Sequence, residues 1–242
     1  MDAVDAELVA TVPAALTTTG SQHNWAPGLH GDTVTRWAGG SDLTVTGVAG
    51  GVAGQRWTFK NTGTAVAYFA NNSGSSLTGN RLRNIAQSGP TPVAAGGAVT
   101  YAHDGTDWYL VSHLQGAWIT PTYSAANFTS NVGTWTVDAG DIATYAYQLN
   151  NKSLTLSWYL QSTSVSGLPT NLRIALPGFT AGKASLHPAV HDDAGAGNAG
   201  TFCLVNGPGA TTIDTYKTYG ASSFANATNT TRLFGTVTIE IQ

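Results

Sequence analysis

Charge, cysteine and long apolar runs are what this 242-residue chain has little of. Charged residues make up 10% of it, against roughly a quarter in an ordinary soluble domain. The ten Lys and Arg are scattered singly and the formal net charge is -3, so there is no basic field for nucleic acid phosphates. Cys203 is the only cysteine, which excludes a disulfide within the chain and a cysteine-based zinc site. No apolar run approaches the ~18 residues of a membrane helix, so membrane insertion is not expected. Residues 1–20 carry Asp2, Asp5 and Glu7 but no Lys or Arg, unlike a signal peptide, and synthesis in a cytoplasm is expected.

Thr, Ser, Asn, Gly and Ala fill the places that charges leave, which suits a rigid β protein meeting other surfaces rather than a disordered chain. The stretch from Leu43 to Gly63 sets the pattern. Leu43, Val45, Trp57 and Phe59 alternate with Thr44, Thr46, Thr58 and Lys60, the two-residue period of a half-buried strand. Gly47, Gly50, Gly51 and Gly54 between the two runs predict a tight reversal. The fold class expected is all-β.

Residues 1–20 form a separate N-terminal arm in this reading, because Pro13 stops the one or two helical turns that Asp5–Ala10 could make. Residues 21–115 form a small β module with strands at Asn24–Trp25, Thr33–Trp37, Leu43–Thr46, Gln55–Asn61, Ala65–Asn71, Val99–His103 and Trp108–Ser112. The polar stretch Asn71–Gly97 is long for a loop inside a compact domain. Residues 116–242 give nine further strand candidates, among them Trp118–Ile119, Ala143–Leu149, Ser153–Leu160, Thr201–Val205 and Thr211–Tyr216. Their spacing of roughly 8–12 residues predicts a β-sandwich or jelly roll, with Asn150-Asn151 as one of its turns.

Motifs that could carry chemistry are weak. The glycine run lacks Gly-x-Gly-x-x-Gly spacing and a Lys-Ser/Thr, and a strand follows it where a phosphate loop needs a helix. Asp104/Asp107, Asp138/Asp141 and Asp192/Asp193 are carboxylate pairs of the type glycoside hydrolysis uses, but each sits in a turn where Asp caps the backbone. His187 and His191 would share one face of a helix. Pro188 favours a strand, where they stand ~13 Å apart, too far for one ion. No metal, cofactor or catalytic residue is assigned. Seven Trp and nine Tyr remain, most of them pointing inward by alternation. Tyr216 and Tyr219 fall in the polar segment Asp214–Tyr219, and His191, Asp192 and Asp193 open a second, His191–Asn198. These five are the candidate ligand-binding residues, since exposed aromatics flanked by polar groups suit sugars or protein contacts.

Several of these segments resemble known modules. Asn24-Trp25-Ala-Pro27, Leu43–Gly51, Gly54–Gly63, Asn80-Arg81 and Tyr101–Trp108 resemble a module of bacteriophage fibre and virion-appendage proteins. Trp135–Asp141, Leu172–Phe179 and Val237–Gln242 are similar to a C-terminal module of phage structural proteins. The resemblance implies a homotrimeric virion appendage, anchored to capsid or tail through residues 1–20 and carrying a distal β domain for adhesion to host surface glycans. It transfers no catalytic residue. With no extended repeat shaft, a short capsid fibre or decoration protein fits as well as a tail fibre. The readings from other classes are a capsule depolymerase and a soluble carbohydrate-binding module.

Overall fold

Leu43, Val45, Trp57 and Phe59 are fully buried, whereas Thr44 and Thr58, the alternate residues of the same strands, are not, as a pleated strand with one face on a core requires. In the computed structural model, which describes residues 14–29 and 33–242, the chain is all-β. The only helices among the described residues are two single 3₁₀ turns, Ala125–Asn127 and Ala139–Asp141. No helix among them is long and apolar enough to cross a membrane, which says nothing of strands.

The first half contains β1 (Gly20–Gln22), β2 (Thr33–Trp37), β3 (Leu43–Val45), β4 (Arg56–Asn61), β5 (Ala67–Phe69), β6 (Leu82–Arg83), β7 (Thr91–Val93), β8 (Ala98–His103) and β9 (Trp108–Leu114). They form two sheets, in the orders β1-β3-β5-β7 and β2-β4-β8-β9-β6. From β1 to β8 each strand lies in the sheet opposite the one before it. Neighbours within a sheet are therefore parallel at the start: β1 with β3, β3 with β5, β2 with β4. Gly20 lies beside Leu43 and Leu43 beside Ala67, so one turn of this two-sided coil takes 23 or 24 residues.

The coil corrects the reversal expected at the glycine run, since β3 and β4 belong to different sheets. Gly50 and Gly54 do adopt positive φ, 83° and 84°, conformations that side chains disfavour. Gly47 and Gly51 answer a different need. A Cβ on Gly47 would stand 2.5 Å from the Asn80 carbonyl, and one on Gly51 2.4 Å from the His103 ring. The Asn71–Gly97 stretch is likewise no plain loop but contributes β6 and β7. Residues 14–20, expected as part of a separate arm, are built into the coil. Leu16 donates to Arg36 O (2.8 Å) and accepts from Ala38 N (2.8 Å), and Trp37 Nε1 donates to Thr18 O (2.6 Å). Residues 1–13 of that arm lie outside the described residues.

Between the two sheets the aromatics pack ring to ring. The Trp57 centroid is 5.9–6.3 Å from those of Trp25, Phe59, Phe69, Tyr101 and Trp108. Buried indole N–H groups need acceptors: Trp57 Nε1 donates to Thr35 Oγ1 and Trp108 Nε1 to Val48 O, both 2.8 Å.

The second half contains β10 (Phe128–Ser130), β11 (Thr134–Thr136), β12 (Ile142–Asn150), β13 (Ser153–Ser166), β14 (Asn171–Ala175), β15 (Ser185–Asp192), β16 (Asn198–Val205), β17 (Thr212–Tyr216) and β18 (Ala227–Glu240). All nine join one antiparallel sheet, β10-β14-β17-β16-β15-β18-β13-β11, with β12 also on β13. Trp118–Ile119 adds only a bridge from Ile119 to Tyr147, and the two-residue turn between β12 and β13 is Asn151-Lys152, one place later than expected. Strand β13 bends at Ser162 (φ 58°), pairing with β12 before the bend and β11 after it. The sheet thereby curls until its ends meet. Phe128 of β10 lies 5.8 Å from Trp135 of β11, ring to ring, and 5.3 Å from Tyr145 of β12. One core fills the curl and takes in Ala86 and Ala94 from the first half. The Gln115 side chain ties the halves together, accepting from Leu149 N (2.6 Å) and donating to Ala117 O (3.0 Å) and Tyr147 O (3.2 Å).

Replacing Trp57 by Ala should lower stability by about 3–5 kcal/mol, read as a shifted midpoint in guanidinium unfolding. A loss under ~1 kcal/mol would mean the aromatic cluster is not the core of the coil.

Candidate functional site

Alternation along β15 turns Ala189 into the core and places His191 on the same side two residues later. His191 and Asp192 are therefore the last residues of a strand, and Asp193 begins the turn to β16. None of the three is exposed: their relative exposures are 4%, 7% and 6%. This departs from the open polar loop expected at His191–Asn198. Asp192 Oδ1 accepts Gly197 N (2.9 Å), closing that turn. Asp193 accepts Ala225 N (3.0 and 3.2 Å) and pairs with Lys217 Nζ at 2.6 Å. Lys217 also donates to Ser223 O (3.4 Å). Asp193 thus pins the 217–226 loop to the end of the sheet. Phe224 from that loop is fully buried and lies 5.7 Å from the His191 ring.

His191 Nδ1 is buried without a hydrogen-bond partner. Burial lowers its pKa, against the pull of Asp193 and Asp192 and together with Lys217. His113 and His187 are also lowered, in each case chiefly by burial.

Tyr216 and Tyr219 arrive at the same end of the sheet as these three residues, held there by the Lys217–Asp193 pair. Tyr216 closes β17, with its ring stacked on Phe202 at 5.2 Å and 14°. Tyr219 follows in the loop, 5.9 Å from Phe202 and tilted by 51°, and is 92% exposed. Beneath them Asn171 Nδ2 approaches Tyr216 Oη at 3.4 Å, and Thr201 Oγ1 donates to Tyr216 O. Three aromatic side chains thus form a stepped surface, two anchored in strands and one free. Sequence reading missed Phe202. The signal was present in Thr201-Phe-Cys-Leu-Val205: Cys203 and Val205 point inward, so Phe202 and Leu204 point out.

The other candidate residues do structural work. Asp104 accepts Thr106 N (2.7 Å) and Asp107 N (2.9 Å), bonds that hold its carboxyl below the usual carboxylate range. Asp107 is buried and takes both Arg83 Nε (2.9 Å) and Nη2 (2.7 Å). Asp141 accepts Asp138 N (2.9 Å) across a single turn. The Cys203 thiol faces the core, its pKa pushed up to about 12 by burial. Among the described residues no group of three or more His, Cys, Asp or Glu could hold a metal ion. Comparison with protein-family models, with curated proteins and with solved structures finds no match to this chain.

The three lowered histidines have a consequence for stability. A His whose pKa is depressed on folding binds fewer protons folded than unfolded, so stability is full above the unfolded value of 6.5 and is lost as pH falls below it. Melting temperature should therefore fall between pH 7.5 and 5.5, and His191→Gln should flatten the fall. A profile that is level or rises toward pH 5.5 would refute this.

Proposed function

We propose that this chain is a structural subunit of a bacteriophage particle, a trimeric fibre or decoration protein attached to capsid or tail, whose C-terminal sheet touches glycans of the host surface. The observation that carries the adhesive part is Tyr219, 92% exposed at the end of a rigid sheet and backed by Phe202 and Tyr216. A bare aromatic face beside hydroxyls and amides suits the apolar face of a sugar ring. His191, Asp192 and Asp193 enter this reading as the residues that hold the tyrosine loop in place, not as ligand contacts. One such site binds weakly, and repetition within a trimer and over a particle supplies the strength.

The two-sided coil that opens the first half, with β1, β3 and β5 stacked in parallel and β2 beside β4, supports the appendage reading. A depolymerase finds less support, because Asp104, Asp107, Asp141 and Asp193 are each occupied by backbone N–H groups or a cation. With residues 14–20 woven into the coil, residues 1–13 are the part of the arm left to join the particle.

Tyr219→Ala should reduce particle adsorption several-fold with melting unchanged, and Tyr219→Trp should retain adsorption. Equal adsorption by Tyr219→Ala would show that the protein decorates the particle without binding the host. Removing residues 1–13 should leave an assembly of about three times the 24.9 kDa chain mass that no longer joins particles. Incorporation at full occupancy would place the anchor elsewhere.

A further inference from the structure

We propose that the loop Lys217–Asn226, which carries Tyr219, is an acid-sensitive strap that His191 holds shut while its ring is neutral and releases when the ring takes up a proton. The release stands on the contacts around His191. Only its consequence for adhesion rests on the reading of Tyr219 as a sugar contact.

The strap has few attachments. Thr218–Ser223 are all exposed, and they keep their own shape through Ala221 N donating to Thr218 O (3.0 Å) and Ser222 N to Thr218 Oγ1 (3.2 Å). Phe224 is the one fully buried side chain of the segment, and its ring stands edge-on to His191 at 77°. Its own N–H donates to Pro169 O (2.8 Å). Ala225 N and Lys217 Nζ both end on Asp193, and Asn226 Oδ1 accepts from Leu168 N (3.3 Å) at the surface. The Phe224 ring and the Asp193 carboxylate thus hold the strap down. His191 lies against the first and two residues from the second.

A neutral ring suits this seam and a charged one does not. An imidazolium carries an N–H on both nitrogens, and Nδ1 is buried with no acceptor in reach. A buried charge without a hydrogen bond is strongly disfavoured. The charged groups that act on the ring are Asp193, Lys217 and Asp192. Its neighbours across the sheet, Ala199 in β16 and Leu233 in β18, carry no charge. Asp192 is committed to Gly197 N and stands beside Arg232 of β18. Asp193 is committed to Ala225 N and Lys217. The imidazolium then has two ways to be satisfied. Water reaches it, for which Phe224 must leave, or it draws Asp193 to itself and takes from Ala225 and Lys217 their acceptor. Either way an attachment of the strap is undone, and the Lys217 ammonium adds repulsion. Burial already lowers the pKa of the ring, so the change falls below pH 6.5.

Phe202 and Tyr216 belong to strands and stay in place. Tyr219 moves with the strap, and the stepped aromatic surface loses its outer step. A sugar contact made at neutral pH is then given up in acid.

Hydrogen exchange of the full chain at pH 7.5 and 5.0, read by mass spectrometry and corrected for the intrinsic rate, tests this. Peptides covering 217–226 should lose at least tenfold in protection at pH 5.0 while β12 and β13 keep theirs. His191→Gln should hold the neutral-pH protection at both values. Equal protection of the wild-type loop at the two pH values would overturn the proposal, and so would a loss that His191→Gln shares. A loss spread equally over β12 and β13 would be global unfolding and would overturn it as well. Should His191→Gln fail to fold, nuclear magnetic resonance of the wild type decides. The His191 ring shifts and the exchange of the Ala225 amide should change together about one midpoint, and an Ala225 amide still protected below that midpoint would refute the release. Exchange reads the strap and not adhesion, so this proposal and the adhesive reading fail separately.

Discussion

The pleat of the β-strand governs everything else in this protein. Successive side chains must go to opposite faces, and with 10% of residues charged most outward positions hold a hydroxyl, an amide or a second apolar group. Short polar side chains then hold each other across strands, as Thr58 holds Thr100 at 2.9 Å on the coil and Thr155 holds Thr238 on the curled sheet. Ordinary solubility by scattered charge is largely missing. In its place are hydroxyl pairs on some faces and bare apolar rows on others, and that division separates surfaces suited to water from surfaces suited to contact.

Strand identity was largely legible because it is local. Thr33–Trp37 and Arg56–Asn61 could be read from the alternation of five or six residues. Pairing was not, because the partner of Leu43 is Ala67 and not a residue across the adjacent turn. Nothing in Leu43–Gly63 reveals that the chain crosses to another sheet at Gly47. The deciding facts are an Asn80 carbonyl and a His103 ring brought from far along the sequence. Local reversal and crossing use the same glycines, and only the packing separates them.

The candidate site divides along the same line. Tyr219 was legible because an aromatic in a polar segment has little local reason to be buried. His191, Asp192 and Asp193 were misplaced because polarity was taken for exposure. A carboxylate at a strand end finds backbone N–H groups within reach, and Asp193 finds Lys217 as well. Those partners lie 24 and 32 residues away in the chain, beyond what any short window can show. Phe202 was missed for the opposite reason. It lies inside the strand candidate Thr201–Val205 and was not weighed among the aromatics, although its neighbours Cys203 and Val205 fill the inward positions.

The coil also acts as a ruler. Each turn takes 23 or 24 residues and advances by one strand spacing, ~4.8 Å. Inserting one whole turn between β3 and β5 would move the two ends of the molecule apart by that increment and leave both end surfaces as they are. A residue added within a strand, rather than between strands, would turn the side chains after it in that strand to the opposite face. Reach in such a coil can grow by whole rungs, and its length is then written in the chain as an integer.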